Sequence, residues 1–236
     1  QPIQNLAFMD AFTWDGGATQ LWKQPIIPIT AEVEMNISLS EVVNRLTADS
    51  QYPALFEKAF GTNEINSQKL LLALAQFQGL IVSSRSKYDQ YLISELDFTE
   101  AEKRGMVLFE DNCSSCHEGV LQSSFTFHNN GLDSVFTSDE GRAKITLSPN
   151  DVGKFRVPSL RNVGLTNPYM HDGRYFTLQE VLEHYSDGIV PSATLAPELE
   201  NGLALSEDEQ ADIISFLYTL SDFEMISDMR FSEPKK

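Results

Sequence analysis

The residues best suited to chemistry stand together in one pentapeptide, Cys113-Ser114-Ser115-Cys116-His117. The spacing C-x-x-C-H is typical of the site at which a c-type haem is attached covalently. The two thiols would add to the vinyl groups of the haem, and the adjacent histidine would supply an axial nitrogen to the iron. The chain has no other cysteine. The sequence therefore predicts one covalent haem, held by Cys113, Cys116 and His117.

Two other interpretations would use the same thiols. A structural zinc site needs four ligands at short spacing, and His128, His171 and His184 do not form the H-x(3–5)-H half of a zinc finger. A thioredoxin-like redox pair would lie near a β-α-β pattern, and the sequence shows none. Haem attachment is the favoured interpretation.

A helix should lead directly into the motif. Thr99 and Glu102 are spaced as a capping box, in which Thr99 is the N-cap and Glu102 reaches back to it. Gly105 and Phe109 follow one turn apart, so they share a face of that helix. A small residue and an aromatic at this spacing are typical of the first helix of a cytochrome c. We expect them to pack against the C-terminal helix.

The remaining hydrophobic pattern is also helical. Apolar residues recur at helical spacing in several segments, and a second capping box begins at Ser206. The predicted helices cover residues 40–46, 52–60, 67–82, 97–109 and 177–185, and a last one follows Ser206. Residues 1–29 predict irregular structure, and residues 122–156 predict a long loop rich in Gly, Asn, Asp and Ser. With no convincing strand pair, the predicted class is all-α with long loops.

Composition limits the partners and the compartment. The chain has 236 residues and a formal net charge of -17, so nucleic acid and anionic membranes are poor partners, and a basic electron donor would be attracted. Plain solubility is the simpler explanation of that charge. No apolar run reaches the length of a membrane span, so no membrane insertion is expected. Covalent haem is normally attached outside the cytoplasm, which predicts a periplasmic, exported protein, and a start at Gln1 predicts a processed or trimmed one.

Four stretches resemble the bacterial di-haem cytochrome c peroxidase family. Its superfamily includes the enzyme that matures methylamine dehydrogenase by oxidising tryptophans. The stretches are Trp14–Gly17, F-H-N-N-G-L at 127–132, K-F-R-V-P-S-L-R-N-V at 154–163 and L-T-N-P-Y-M-H-D-G-R at 165–174. Family members carry two C-x-x-C-H sites, and this chain has one. We expect a missing N-terminal piece to bear the first haem, rather than a separate polypeptide or a lost haem.

The resemblance implies two cytochrome c-like domains. Residues 1–92 would be the remainder of the N-terminal, peroxidatic domain, residues 93–222 the C-terminal, electron-transfer domain, and residues 223–236 an extended tail. The implied reaction reduces hydrogen peroxide to water with electrons from a small cytochrome or cupredoxin. The alternatives are a Tyr-ligated oxidase that modifies a protein substrate, and a mono-haem electron carrier without peroxidase activity. Homodimers are common in the family, although the sequence shows no diagnostic interface.

The sixth ligand of the iron has two candidates. A simple cytochrome c would use a methionine some tens of residues after the motif, and Met170 fits. In the di-haem peroxidases the ligand comes at the end of the next helix, where this chain has Tyr185. The peroxidases have Met in that position and the tryptophan-oxidising relative has Tyr, so the chain resembles the Tyr branch. A thioether raises the potential, whereas an anionic phenolate favours ferric iron. Tyr185 could instead be a core residue, with an open iron or with His184 as the ligand.

Three residues match the family's peroxide and electron-transfer machinery. Glu34 and Gln24 match the peroxide pocket of the N-terminal haem, where a carboxyl group moves protons during O–O cleavage and an amide orients the peroxide. Trp14 matches a tryptophan between the two haems that shortens the electron-transfer distance. Without the resemblance, Glu34 would be a surface carboxylate and Trp14 a core residue.

The resemblance also implies a calcium ion and contacts to the haem propionates. The backbone carbonyls of Thr166 and Pro168 would bind calcium between the domains, since such oxygens suit this hard cation. The family's further side-chain ligand would lie in the missing piece. His171 and Arg174 would bond the propionates, because a guanidinium matches carboxylate geometry. His171 could equally be an ordinary loop residue.

Overall fold

The computed structural model describes residues 2–233 and is mostly helical. In that range the helices α1 to α10 are, in chain order, Ile26–Thr30, Leu39–Ala48, Tyr52–Phe60, Ser67–Leu80, Lys87–Leu92, Glu100–Cys113, Ala143–Thr146, Leu178–Asp187, Glu207–Tyr218 and Phe223–Ile226. Two short strands, β1 (Phe127–His128) and β2 (Phe155–Arg156), pair antiparallel inside the segment predicted as a loop. The predicted all-α class is confirmed.

The chain divides into two compact units. A smaller unit contains Ile3–Phe12 and Ala18–Ile81, and a larger unit contains Thr13–Gly17 and the chain from Val82 onward. The predicted division between residues 92 and 93 lies later than the one between Ile81 and Val82.

Aromatic packing explains the earlier division. Helix α5 belongs to the larger unit because its two tyrosines pack on that unit's core. Tyr88 meets Phe216 edge-on with ring centroids 5.8 Å apart, and Tyr91 stacks on Phe98 at 4.0 Å. The short pattern of α5 gave no sequence signal of this docking.

Helices α6 and α9 make the main packing contact of the larger unit. A β-carbon on Gly105 would overlap the carbonyl oxygen of Asp212, so the two helices approach as closely as backbones allow. One turn later, the rings of Phe109 and Phe216 lie 5.1 Å apart. The predicted packing of the helix before the motif against the C-terminal helix is thus confirmed. The buried core around this crossing also includes Phe98, Val163, Leu178, Leu182, Ile213, Leu217 and Leu220.

Local capping places the haem motif at a helix end. The Thr99 side chain accepts a hydrogen bond from the backbone N–H of Glu102, and the Glu102 carboxylate accepts one from the backbone N–H of Thr99. Such a cap stabilises a helix by about 1 kcal/mol. The same box opens α5, α8 and α9. Because α6 ends at Cys113, the motif begins on its last residue.

The prediction that residues 223–236 form an extended tail is wrong for the helical residues among them. Residues Phe223–Ile226 form α10 and Met229–Phe231 form a 3-10 turn. The start of α10 is fixed by Asp222, which is 1% exposed and accepts hydrogen bonds from the backbone N–H groups of Ser84, Arg85 and Met225. The predicted tail beyond residue 233 lies outside the described residues.

The smaller unit is built from α1 to α4, with a cluster of Leu6, Phe12 and Ala18. Across the part of the chain that the structure describes, none of the helices has both the length and the apolar character needed to cross a membrane.

Candidate haem site

The C-x-x-C-H motif folds as a tight turn after α6. The backbone N–H groups of Cys116 and His117 donate to the carbonyl of Cys113, at 3.2 and 2.8 Å. This turn brings two thiols and an imidazole to one helix end. Both cysteines are free and half-buried, and burial raises the pKa of the Cys113 thiol to about 12. Burial therefore favours the thiol form of Cys113, the species that adds to a vinyl group.

The His117 ring is prepared to bind a metal through one nitrogen. Its Nδ1 donates to the backbone carbonyl of Gln122 over 3.0 Å, and the carbonyl of Pro158 also interacts with the ring. Burial lowers the pKa of His117 to about 4, so the imidazole is neutral. A neutral imidazole with a proton on Nδ1 leaves the Nε2 lone pair for a metal, which is the usual arrangement of metal-binding histidines.

One family-like stretch holds the loop that carries the Gln122 carbonyl. Four hydrogen bonds connect residues 157–161 to residues 120–126. Ser159 Oγ donates to Leu121 O at 2.6 Å, and Arg161 Nε donates to Val120 O at 2.8 Å. Ser123 Oγ donates to Val157 O, and Val157 N donates to Thr126 O, both at 2.8 Å. The loop after the motif is thereby fixed, and with it the orientation of His117.

The chemistry of the donor set fits a covalent haem and not a zinc ion. Within residues 2–233, no group of three or more His, Cys, Asp or Glu side chains is arranged to hold a metal ion. One neutral imidazole beside two protonated thiols provides a single strong donor and two nucleophiles. That combination matches thioether attachment with one axial nitrogen. Cys113, Cys116 and His117 would hold the group.

Tyr185 lies near the same two thiols. It stands in the last turn of α8, and burial raises the pKa of its hydroxyl to about 12, with smaller contributions from Cys113 and Cys116. Electrostatic influence from both cysteines requires that the tyrosine and the motif be close. The tertiary structure therefore brings together two sites that are 69 residues apart, counted from Cys116 to Tyr185.

The other two candidate ligands are engaged by Asn130. The Asn130 amide donates to the Met170 sulfur at 3.4 Å, and its side chain also hydrogen-bonds the Tyr185 hydroxyl. His184 is buried, and its Nε2 donates to the Asn130 backbone carbonyl over 3.0 Å. That bond engages the Nε2 atom of His184 with the protein backbone. The sequence analysis named Asn130 only as part of the F-H-N-N-G-L stretch, because an asparagine in a loop carries no signal of such contacts.

Trp14 lies in a segment fixed to the larger unit. Its carbonyl accepts a hydrogen bond from the backbone N–H of Arg156 at 2.8 Å. Arg142 donates to the carbonyls of Asp15 and Gly16 at 2.9 and 3.2 Å, and its guanidinium lies 4.2 Å from the centre of the Phe127 ring. The backbone that carries Trp14 is therefore anchored on the larger unit, which also carries the haem motif.

Gln24 and Glu34 both belong to the smaller unit. The Gln24 Oε1 accepts a hydrogen bond from Gln78 Nε2 at 3.2 Å, which orients its amide. Glu34 is exposed in a turn, and its backbone N–H donates to Ala31 O at 3.1 Å.

Arg174 and His171, the residues predicted to bond the haem propionates, contact other protein groups. Arg174 donates to Asp172 at 2.8 Å and to Asp133 at 2.6 Å, and these carboxylates raise the pKa of its guanidinium. The His171 ring stacks on Phe155 with centroids 3.5 Å apart, and burial lowers the pKa of the imidazole. A propionate contact from either residue stays a prediction.

The calcium site also stays a prediction. Thr166 is half-buried, Pro168 is exposed, and the Asn167–Pro168 peptide bond is cis.

Comparisons with known proteins agree with this geometry. Residues 1–97 match the family model described as di-haem cytochrome c peroxidase, and residues 102–221 match the cytochrome c model. These matches meet between residues 97 and 102, close to the division predicted from the sequence. The fold and the site thus define a c-type cytochrome.

Individual relatives identify the family more closely. The methylamine utilization protein MauG of Methylophilus methylotrophus is 35% identical, over 92% of this chain and 66% of its own length. MauG of Methylorubrum extorquens is 38% identical, over 93% of this chain and 63% of its own length. The cytochrome-c peroxidase IdrP1 of a Pseudomonas species is 31% identical, over 94% of this chain and 67% of its own length. This chain belongs to the MauG and di-haem cytochrome c peroxidase family, whose members carry covalent haem c.

A solved structure supports the same assignment. A MauG-like protein associated with microbial copper homeostasis superposes with a TM-score of 0.89 and 34% identity, over 98% of this chain and 77% of that one. The chain spans just under two thirds of the length of the two MauG proteins.

Proposed function

We propose that this chain is the haem-bearing part of a bacterial oxidoreductase that reduces hydrogen peroxide to water. In this proposal Cys113 and Cys116 would attach the haem, and His117 and Tyr185 would ligate its iron. The observation that supports the proposal is that both thiols of the motif that carries the neutral His117 imidazole lie near enough to Tyr185 to help raise the pKa of its hydroxyl.

The haem, when bound, would supply one-electron redox chemistry and an iron that takes a sixth ligand. His117 would present Nε2 to it, held by the bond from Nδ1 to Gln122. Burial keeps the Tyr185 hydroxyl protonated, but a cation at the oxygen reverses such a preference. Tyr185 would then be an anionic ligand that favours ferric iron.

The peroxide chemistry is assigned to the smaller unit. Gln24, oriented by Gln78, would position the peroxide, and Glu34 would take a proton from one oxygen and return it to the leaving oxygen. The side chains of Val33 and Met35, on either side of Glu34, are 94% and 63% exposed. Apolar surface beside a carboxylate supports a site that a macrocycle covers.

Electron supply and location complete the proposal. Trp14 would relay electrons, since its backbone is fixed to the larger unit through Arg156. The net charge of -17 supports a basic donor, such as a small cytochrome or cupredoxin, steered by long-range attraction. Covalent haem and the bacterial relatives support an exported, periplasmic protein.

A second candidate function is the oxidation of a protein substrate, with peroxide as oxidant. Tyr185 favours it, because the resemblance associates Tyr in this position with the tryptophan-oxidising branch. The MauG name of two relatives and the MauG-like description of the superposing structure favour it too.

The two functions differ in which partner the protein oxidises when it consumes peroxide. A form of the protein that carries both haems is mixed with peroxide and either a reduced small cytochrome or a candidate protein substrate. A peroxidase consumes peroxide in proportion to the cytochrome that it oxidises, and sustains turnover. A protein oxidase leaves the cytochrome reduced and oxidises residues of the protein substrate, which mass spectrometry detects. Absence of both reactions would contradict the proposal as a whole.

A further inference from the structure

The Asn130 amide lies between the two candidate ligands. It donates to the Met170 sulfur at 3.4 Å, and its side chain hydrogen-bonds the Tyr185 hydroxyl. A carboxamide has two N–H donors and one carbonyl acceptor, so it can hold both contacts at once. Both side chains that could complete the coordination of the iron are therefore tied to one residue.

The position of Asn130 is set by the fold and not by these two contacts. Its backbone carbonyl accepts a hydrogen bond from His184 Nε2 at 3.0 Å. On either side, Ala196 N donates to Asn129 O at 3.0 Å, and Val190 N donates to Gly131 O at 2.8 Å. Three backbone carbonyls in a row are thus held by α8 and the loop that follows it. The amide projects from a fixed backbone.

The position of Met170 is equally restricted. Its φ of 70° is in the left-handed region, which is unfavourable for a side chain of this kind. The neighbouring Tyr169 is fixed by a backbone bond to Tyr175 O at 2.7 Å and by its hydroxyl, which donates to Val163 O at 2.9 Å. The sulfur can reach another partner only through rotation of its side chain, and the bond from Asn130 opposes that rotation.

We propose that Asn130 is the positioning residue that assigns the sixth coordination position to Tyr185, by holding the Met170 thioether on its amide while it orients the tyrosine oxygen. This inference rests on the proposed His117 and Tyr185 ligand pair. Without the amide, the thioether is released and competes for the iron. Because thioether ligation raises the reduction potential, exchange of the ligand has a direct electrochemical readout.

The test uses the haem-loaded chain and three variants: Asn130→Leu, Met170→Leu and the double variant. Leucine has the size of asparagine without its hydrogen-bonding groups. We expect N130L to lose the phenolate signature in the absorption and electron paramagnetic resonance spectra, to gain a thioether signature, and to show a higher midpoint potential. M170L should keep the wild-type spectra, and the double variant should lose the thioether signature of N130L.

The outcomes separate the parts of the proposal. Wild-type spectra and potential in N130L would overturn it. A thioether signature of N130L that persists in the double variant would overturn the role assigned to Met170. Haem content and melting temperature report on folding, and if N130L is unstable, Asn130→Ser, which is too short to span both contacts, is judged by the same criteria. A wild-type spectrum in Tyr185→Phe would instead refute the ligand pair itself, and so the proposed function.

Discussion

The Nδ1 atom of His117 donates to the backbone carbonyl of Gln122 over 3.0 Å. This bond fixes the tautomer and the direction of the imidazole, because Nδ1 carries the hydrogen and Nε2 must carry the lone pair. The acceptor is a backbone group in a loop that residues 157–161 hold in place. The tertiary structure therefore orients Nε2, the nitrogen that we propose for the iron.

Covalent attachment through Cys113 and Cys116 is the first prediction. Acid-acetone extraction of the denatured protein should leave the haem on the chain, since thioether bonds resist it. Cys113→Ala and Cys116→Ala should each retain a haem with one remaining thioether, seen as a shifted pyridine haemochrome spectrum. Haem that extracts freely from the wild-type protein would contradict the prediction.

The second prediction concerns Tyr185. Tyr185→Phe removes the oxygen but keeps the ring, so the haem should stay attached while its ligation, spectrum and potential change. The wild-type haem on His117 should react slowly with peroxide because both axial positions are filled, and Y185F should react faster. Stopped-flow mixing with peroxide measures this. Fast reaction of the wild-type haem on His117 would show that its sixth position is open.

The third prediction concerns Glu34. In a complete form that carries both haems, Glu34→Gln should lower peroxide turnover by roughly 10²–10⁴, the usual effect of losing a general acid–base group, with unchanged haem content. Glu32→Gln is the matched control, because Glu32 is exposed in the same turn, and it should leave turnover near the wild-type rate. Equal rates for E34Q and wild type, with the peroxide step shown to limit turnover, would remove Glu34 from the mechanism.

The fourth prediction concerns the helix crossing at Gly105. Gly105→Ala should destabilise the protein by about 2 kcal/mol or more, since the new methyl group meets the backbone of Asp212 and forces α6 and α9 apart. Gly79→Ala in α4 is the control, because its methyl group would meet only a Leu21 side-chain atom at 3.9 Å. It should stabilise the helix by about 0.5–1 kcal/mol. Chemical denaturation of both variants gives the comparison, and similar values would contradict close packing at Gly105.

The fifth prediction concerns the ion pair of Asp89 and Arg161, in which the Arg161 side chain is only 3% exposed. Burial alone would raise the pKa of Asp89, but hydrogen bonds from Arg161 and Ser86 outweigh it and hold the pKa below 3.8. The pair therefore stabilises the fold above about pH 4, and this contribution is lost as the pH falls through the native pKa. Asp89→Asn should cost about 3–5 kcal/mol near neutral pH, because it removes the carboxylate that pairs with the buried Arg161 guanidinium.

Denaturation at several pH values tests this prediction. The difference between wild type and D89N should be constant above pH 5 and should shrink below the unfolded pKa of 3.8. The exposed pair of Glu41 and Arg45 is the control. Glu41→Gln should change the stability by only about 0.3–0.5 kcal/mol. A difference for D89N that grows towards acid pH would contradict the assigned sign.

The sequence by itself determined the features that depend on neighbouring residues. The pentapeptide specifies attachment because both thiols and the imidazole lie within five residues, so one turn after α6 brings them together. Thr99 with Glu102, and Ser206 with Glu209, start helices because each cap forms within one turn. Gly105 and Phe109 indicate the packing of α6 because helical periodicity puts them on one face. The position of Tyr185 came from the resemblance, and its place near the thiols agrees with it.

Only the tertiary structure decided the groups that complete the site. The acceptor for His117 is a backbone carbonyl, which any residue type provides, so no sequence pattern could indicate Gln122. Asn130 reaches Met170 and Tyr185 across 40 and 55 residues, and its side chain has no periodicity to mark it. Helix α5 and the segment after Asp222 were missed because their short patterns acquire meaning only when Tyr88 and Asp222 are buried against distant parts of the chain. Local spacing fixes what a residue can do chemically, whereas its partners depend on long-range packing that no local window contains.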